Sequence, residues 1–297
     1  MKIYVRIICF MCGLLLTLAC LGCTNGPAQD TTAPITETTV PEETTGEPEP
    51  EIISYTVPTR HEKDGRVQYE YTYAEDGLSL SKTDYTEETP ITYTVTFDEN
   101  GNPLKLEWTV VVNDTRTELW RDDYYLDDDG RIKDEKRYCE GQIQNAYTYT
   151  YNEDGSIDTQ QTRNVKQQNI TYKYLYDEMG THIGTRFKKY NGEAGYYMEE
   201  KTCTYDEEGR ILTETSPSYT TVHEYSIKEG FVTQEKITNI AGEYSWNYYY
   251  QFTYEDGKMI KKDCSFEGVL TDTEYFEETQ FEHYKKAIDW IFRERLP

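Results

Sequence analysis

Four histidines, 55 acidic residues and the three cysteines that follow residue 23 are the groups of this 297-residue chain with the means to carry chemistry. His61, His182, His223 and His283 share no metal-ligand spacing with one another or with Cys139, Cys203 and Cys264. An odd set of thiols, 64 and 61 residues apart, makes no disulfide framework and reads as half-buried strand cysteines. Neither a nucleophile elbow, a phosphate loop nor a dinucleotide fingerprint occurs. In YYLDDDGRIKDEK, Asp127 and Asp129 fall at calcium-loop positions when Gly130 is the sixth, but Tyr125 and Lys136 occupy the first and twelfth, which breaks the EF-hand pattern. Paired carboxylates could hydrolyse a glycosidic bond, yet a chain this acidic supplies such pairs by chance. The expectation is a non-catalytic protein without cofactor or metal, and a carboxylate-based glycan hydrolase is the weaker alternative.

The aromatic residues offer a different chemistry. There are 29 tyrosines against 9 phenylalanines and 4 tryptophans. Aromatic rings interleaved with Asp, Asn, Gln and Thr can stack on sugar rings while neighbouring groups bond the hydroxyls. Tyr69, Tyr93, Tyr147, Tyr172, Trp246 and Tyr248, with Tyr249 and Tyr250 alongside, are the candidate ligand-binding platform if the face that bears them is open. If that face is closed, the same rings are the core of a curled sheet.

A repeat positions these rings. Glycines 77, 101, 130, 155, 180, 209, 230 and 257 recur at intervals of 21 to 29 residues, which marks a repeat architecture. Four, six and eight residues before most of them stand aromatic or apolar side chains, as in YTYTYNEDG at 147–155, with Thr, Glu and Lys between. Period two with one aromatic face is a strand covered on one side. The turns DENG, DDDG, NEDG and DEEG start with a side chain that bonds nearby backbone and end on a glycine suited to positive φ. Each unit therefore reads as a hairpin closed by a type I turn and a glycine bulge, while the second connection, such as CEGQ at 139–142, reads as looser. Eight hairpins give roughly 16 strands, stable only when stacked. Phe281, Tyr284, Ile288 and Ile291 then follow a helical spacing, and Thr279-x-x-Glu282 has capping-box form.

The other end is different in kind. Lys2 and Arg6 precede an apolar run of about 16 residues, shorter than the ~20 of a permanent span, so residues 1–22 read as a signal peptide. The run ends at Gly22-Cys23, which resembles the lipobox of bacterial lipoproteins. That resemblance implies lipidation of Cys23, with Cys20 the second candidate, and hence a membrane partner through a lipid anchor on the cell surface. Residues 24–51 hold eight Thr, five Pro and seven acids, a composition that builds no core. Stretched at ~3.3 Å per residue this tether reaches roughly 90 Å. The formal charge is -25, which repels phosphate backbones and argues against nucleic acid as a partner.

The unit Y-x-Y-D-x-x-G-R-I, present as CTYDEEGRI at 203–211 and echoed in YKYLYDEMG at 172–180, resembles the YD repeat of Rhs-type and teneurin proteins. In that family the strands spiral into a hollow shell, and the resemblance covers about residues 65–270. No toxin core follows residue 270, so the family's toxin-delivery role is not carried over. The expected fold is all-β: an antiparallel meander of tandem hairpins forming a large curled sheet, shell or barrel, with a short C-terminal helix. The divisions are 1–22 signal, 23–52 lipid-anchored linker, 53–272 β-repeat domain and 273–297 amphipathic helix. The expected function is display of a binding or adhesion domain for glycan or a surface protein, with a purely structural envelope role as alternative.

Overall fold

The computed structural model describes residues 53–113, 115–165 and 169–293. From Ser54 onward the chain forms one compact unit. Within it lie nineteen described strands: β1 (Tyr55–Lys63), β2 (Arg66–Tyr73), β3 (Ser79–Asp84), β4 (Ile91–Phe97), β5 (Pro103–Asn113), β6 (Arg116–Leu126), β7 (Ile132–Cys139), β8 (Gln142–Tyr151), β9 (Ile157–Asn164) and β10 (Asn169–Tyr176). They continue as β11 (His182–Lys189), β12 (Ala194–Met198), β13 (Thr202–Tyr205), β14 (Ile211–Thr215), β15 (Thr220–Lys228), β16 (Phe231–Ala241), β17 (Tyr244–Glu255), β18 (Lys258–Phe266) and β19 (Val269–Thr279). Helix α1 (Glu282–Ala287) and a π-helical stretch (Ile288–Arg293) close the described chain.

The strands form one antiparallel meander, and β1 is bonded to both β2 and β19. The expected curl is therefore present, built from more strands than the roughly 16 that eight hairpins imply. The circuit of ladders is not closed. β12 pairs with β11 and β13 with β14, but among the described residues no register joins β12 to β13. These two strands run in the same direction and are halves of one pass, interrupted at Glu199–Lys201. At that point the chain lies against Gly184, where an added Cβ would stand 3.0 Å from the Cα of Glu200.

All eight repeat glycines adopt positive φ, from 74° at Gly77 to 88° at Gly155. In the four-residue turns the leading aspartate does what its side chain allows. Oδ1 of Asp127 accepts from the backbone N–H groups of Asp129 and Arg131 at 3.0 and 2.9 Å, while Gly130 N–H closes the turn on the Asp127 carbonyl at 3.1 Å. A register shift beside each such turn, as between Tyr125 and Leu126, is the expected glycine bulge. The second connections are tighter than CEGQ suggests. Glu140 and Gly141 both take positive φ, as do Asp64–Gly65 and Glu267–Gly268, making two-residue turns that match strand twist.

Successive units are tied by tyrosine hydroxyls. Tyr151 donates to the Ile132 carbonyl at 2.6 Å, Tyr225 to Ile211 at 2.8 Å and Tyr254 to Val232 at 3.0 Å. In each case the acceptor opens the return strand of the preceding hairpin, so a buried ring also satisfies backbone that lies beside it. On the outer face, threonine pairs such as Thr150–Thr159 (2.7 Å) and Thr204–Thr213 (2.7 Å) bridge neighbouring strands.

The core joins Val57, Leu80, Val95, Phe97, Leu106, Tyr124 and Tyr149 to Tyr284, Ile288 and Ile291 of the C-terminal segment. The helical stripe is thus buried against the covered face of β1–β8. Strand β19 runs to Thr279, past residue 273 where the sequence places the start of the helix, because Val269–Tyr275 ladder with β18 and Asp272–Thr279 with β1. Nor does the capping box form. Phe281 is the N-cap without a side-chain bond, and Thr279 Oγ1 instead accepts from Phe281 N–H at 3.2 Å. Tyr284 is fully buried and donates to the Ala74 carbonyl at 2.7 Å.

Two substitutions separate the turn from the plug. At Gly155 nothing lies within 4 Å of an added Cβ, so Gly155→Ala should cost about 1–2 kcal/mol for φ alone. At Gly77 the Phe281 ring would stand 2.7 Å away, so Gly77→Ala should cost about 1–3 kcal/mol more in urea denaturation. Equal costs would show that the helix does not seat on that turn. Tyr151→Phe should cost about 1 kcal/mol, measured the same way, through loss of its inter-unit bond.

Candidate functional site

Antiparallel connections alternate between the two ends of the strands, and the ends differ chemically. The repeat-glycine turns occupy one end, together with helix α1 and the start of β1. Asp98, Asp127, Asp177 and Asp206, which lead these turns, are engaged with turn backbone; Arg131 also bonds Asp127 through Nε at 2.9 Å and pairs with Asp129 at 2.6 Å. Among the described residues, no group of three histidine, cysteine or acidic side chains is placed to hold a metal ion.

Exposed apolar side chains that the sequence reading missed are more numerous at the opposite end, although Leu78, Leu104, Met179 and Ile227 are exposed beside the glycine turns. Val111 and Val112 are 46% and 47% exposed at the tip of β5, Tyr244 is 79% exposed at the start of β17, and Val269 is 68% exposed at the start of β19. Leu119, Ile143, Val165 and Leu270 lie at the same end. The hairpins β5–β6 and β16–β17, built from the longest strands, stand beyond their neighbours. Glu140, in the next turn, bonds back to Leu119, three residues inside β6. The signal was present in Val110-Val111-Val112 and Val269-Leu270, where apolar residues break the alternation next to a second connection.

The aromatic residues singled out in the sequence lie on the covered face, except Tyr249, which alternates to the outer face opposite Lys236. Lys82 Nζ sits 3.9 Å from the Tyr69 ring centroid, and Tyr93 packs 5.7 Å from Trp108 and 6.4 Å from Phe292. Tyr147 packs against the core with Arg137 5.9 Å away, and Tyr172 is 9% exposed with its ring edge-on to Tyr197. Trp246 is half-buried opposite Asn239, and Tyr248 lies 5.2 Å from Phe266. Burial pushes the Tyr69, Tyr93 and Tyr172 hydroxyls above their ordinary value. The structure spreads these rings along the sheet and does not gather them into one strip. Cys23, the lipidation candidate, lies outside the described residues.

Polar chains thread the same face. Arg137 donates to both oxygens of the fully buried Asp122 at 2.9 Å. Tyr174 donates to Gln160, Gln160 to the Tyr149 hydroxyl and Tyr149 to Glu135, a relay across β7–β10. Lys201 and Glu214 form a buried ion pair, and Nδ1 of His223 meets Glu235 at 2.8 Å. A pocket of about 570 Å³ opens at the glycine end, lined by Phe231, Phe252, Tyr254, Gln234 and Gln251, with Glu229 its one carboxylate.

His182, held between Tyr174 and Tyr176 and 2.9 Å from Thr185 Oγ1, is lowered to about 4, first by burial and then by Lys201. The unfolded chain then takes up this proton from about pH 6.5 downward, while the folded one does so near pH 4. Stability from this group should fall as pH drops through that window, and His182→Gln should flatten the fall in the denaturation midpoint. An unchanged slope, or an NMR titration of His182 near 6.5, would refute the assignment.

No protein-family model matches this chain, and no curated protein matches it. Among solved structures, a porin-like protein from Bacteroides uniformis ATCC 8492 aligns with 13% identity over 70% of this chain and 99% of its own, at a TM-score of 0.41. The TcdB2-TccC3-Cdc42 complex aligns with 11% identity over 72% of this chain and 16% of the other, at 0.28. A porin-like protein from Bacteroides vulgatus ATCC 8482 aligns with 8% identity over 74% and 97%, at 0.23.

Proposed function

We propose that the chain is a lipid-anchored bacterial surface protein whose YD-type repeat domain binds a glycan or another surface protein without catalysis. One observation carries this reading. The strand that receives the chain from the tether, β1, starts at the glycine-turn end, and the hairpin tips that bear Val112, Tyr244 and Val269 lie at the other. A domain held through residues 24–51 thus turns Val112, Tyr244 and Val269 away from its attachment point. Apolar groups that project from hairpin tips suit contact with a partner surface better than exposure to water.

The test is binding of labelled residues 54–297 to glycan arrays and to bacterial and host cells. The double variant Val112→Asp, Val269→Asp should weaken saturable binding at least tenfold, and Asp129→Asn should leave it unchanged. Sensitivity to Asp129→Asn alone would move the site to the glycine-turn end. Loss on Tyr147→Ala with Tyr172→Ala, in folded protein, would move it to the covered face. For the anchor, Cys23→Ala should abolish incorporation of a labelled fatty acid into the full chain, and persistent labelling would reassign the site to Cys20.

A further inference from the structure

The break in the circuit leaves a backbone edge open. β12 ladders with β11 through Ala194↔Lys188, Gly195↔Phe187 and Tyr196↔Arg186, and its other edge has no register among the described residues. The pass that would cover it stops short. β14 ends at Thr215, opposite Thr202, and the chain turns back at 216–219, where Ser218 Oγ donates to Glu199 at 2.6 Å. Above that turn lies a notch with β12 as one wall. An antiparallel strand directs alternate residues to each edge, so β12 shows unladdered N–H and C=O groups to the notch. Edge strands are commonly guarded by proline or by charge. Residues 194–198 read AGYYM and have neither, and Tyr196 and Tyr197 are 49% and 41% exposed.

The geometry points to β12 as a docking edge for an extended, net-basic peptide segment of another protein, which adds as a strand in the notch. The chain's charge of -25 favours a basic partner, and Glu193, Glu199 and Glu200 bracket the edge. A second copy is a poorer occupant. Antiparallel self-pairing centred on Tyr196 would set Glu193 against Glu199 of the other copy, between bodies of like charge. Glu193 and Glu200 already pair with Lys189 and Arg186 of β11, which holds the hairpin straight beside the opening. This inference does not depend on the apolar tips: failure of the Val112 and Val269 variants would leave it standing.

A random decapeptide library displayed on phage, panned on residues 54–297, supplies the probe. The expected result is enrichment of net-basic sequences rich in β-branched residues. The best peptide should slow amide exchange at least tenfold within residues 194–198. Tyr196→Pro should weaken it at least tenfold with exchange in β1–β8 unchanged, and Ala194→Lys should weaken it where Ala194→Glu does not. No enrichment, acidic peptides, or protection elsewhere in the sheet would overturn the proposal. So would a dimer of the unliganded protein that Tyr196→Pro dissolves, because the occupant would then be a second copy.

Discussion

The fold depends on the pairing of β1 with β19. Their partners, such as Tyr55 and Thr279, are separated by nearly the whole described chain, and the bonds between them turn a ribbon of hairpins into a curled body. Every other ladder is local, since each strand pairs with one that precedes or follows it closely. Local hairpins close with little loop entropy, whereas this last ladder orders some two hundred residues at once. Without it the tyrosine face of each hairpin would be open to water, and neither the core around Leu80 and Val95 nor the seat of Tyr284 would be assembled.

Tyrosine is the residue that makes the inner face workable. A leucine-lined curl of this length would leave the carbonyls at each bulge to find water. Here the ring fills space and its hydroxyl reaches the carbonyl of the preceding hairpin, as Tyr151, Tyr225 and Tyr254 do. The interior is consequently mixed. The C-terminal segment supplies apolar mass against β1–β8, while the Lys201–Glu214 ion pair and the His223–Glu235 contact fill the β13–β16 part with polar groups. A buried ion pair such as Lys201–Glu214 costs desolvation to form, and removing one partner leaves an uncompensated buried charge.

Much of this is legible in the residues and some is not, for physical reasons. The turn DDDG announces its own conformation, because an aspartate that can bond backbone and a glycine at positive φ leave few alternatives. The stripe Phe281, Tyr284, Ile288, Ile291 shows its period directly. By contrast, residues 273–279 become strand through their pairing with β1, more than two hundred residues away, which no local pattern encodes. The two-residue turn at Glu140–Gly141 was obscured because a glutamate seldom takes positive φ. The aromatic columns were readable as one face, but whether that face is open or covered depends on the β1–β19 pairing. The apolar tips were hidden because which end of each hairpin lies opposite the start of β1 depends on how the strands are assembled.

The placement of the first strand has a mechanical meaning. The chain joins β1 at Tyr55, and β1 ladders with β19 from Tyr55 to Lys63 and with β2 over Arg60–Lys63. Antiparallel bonds stand perpendicular to their strands. A pull on the chain that precedes Tyr55, directed along β1 and resisted at the far ends of the strands, would therefore load these rows in shear, with many bonds sharing the force at once. The same pull at the end of a lone hairpin would peel them one by one. Force that enters through Tyr55 meets the strand best placed to bear tension.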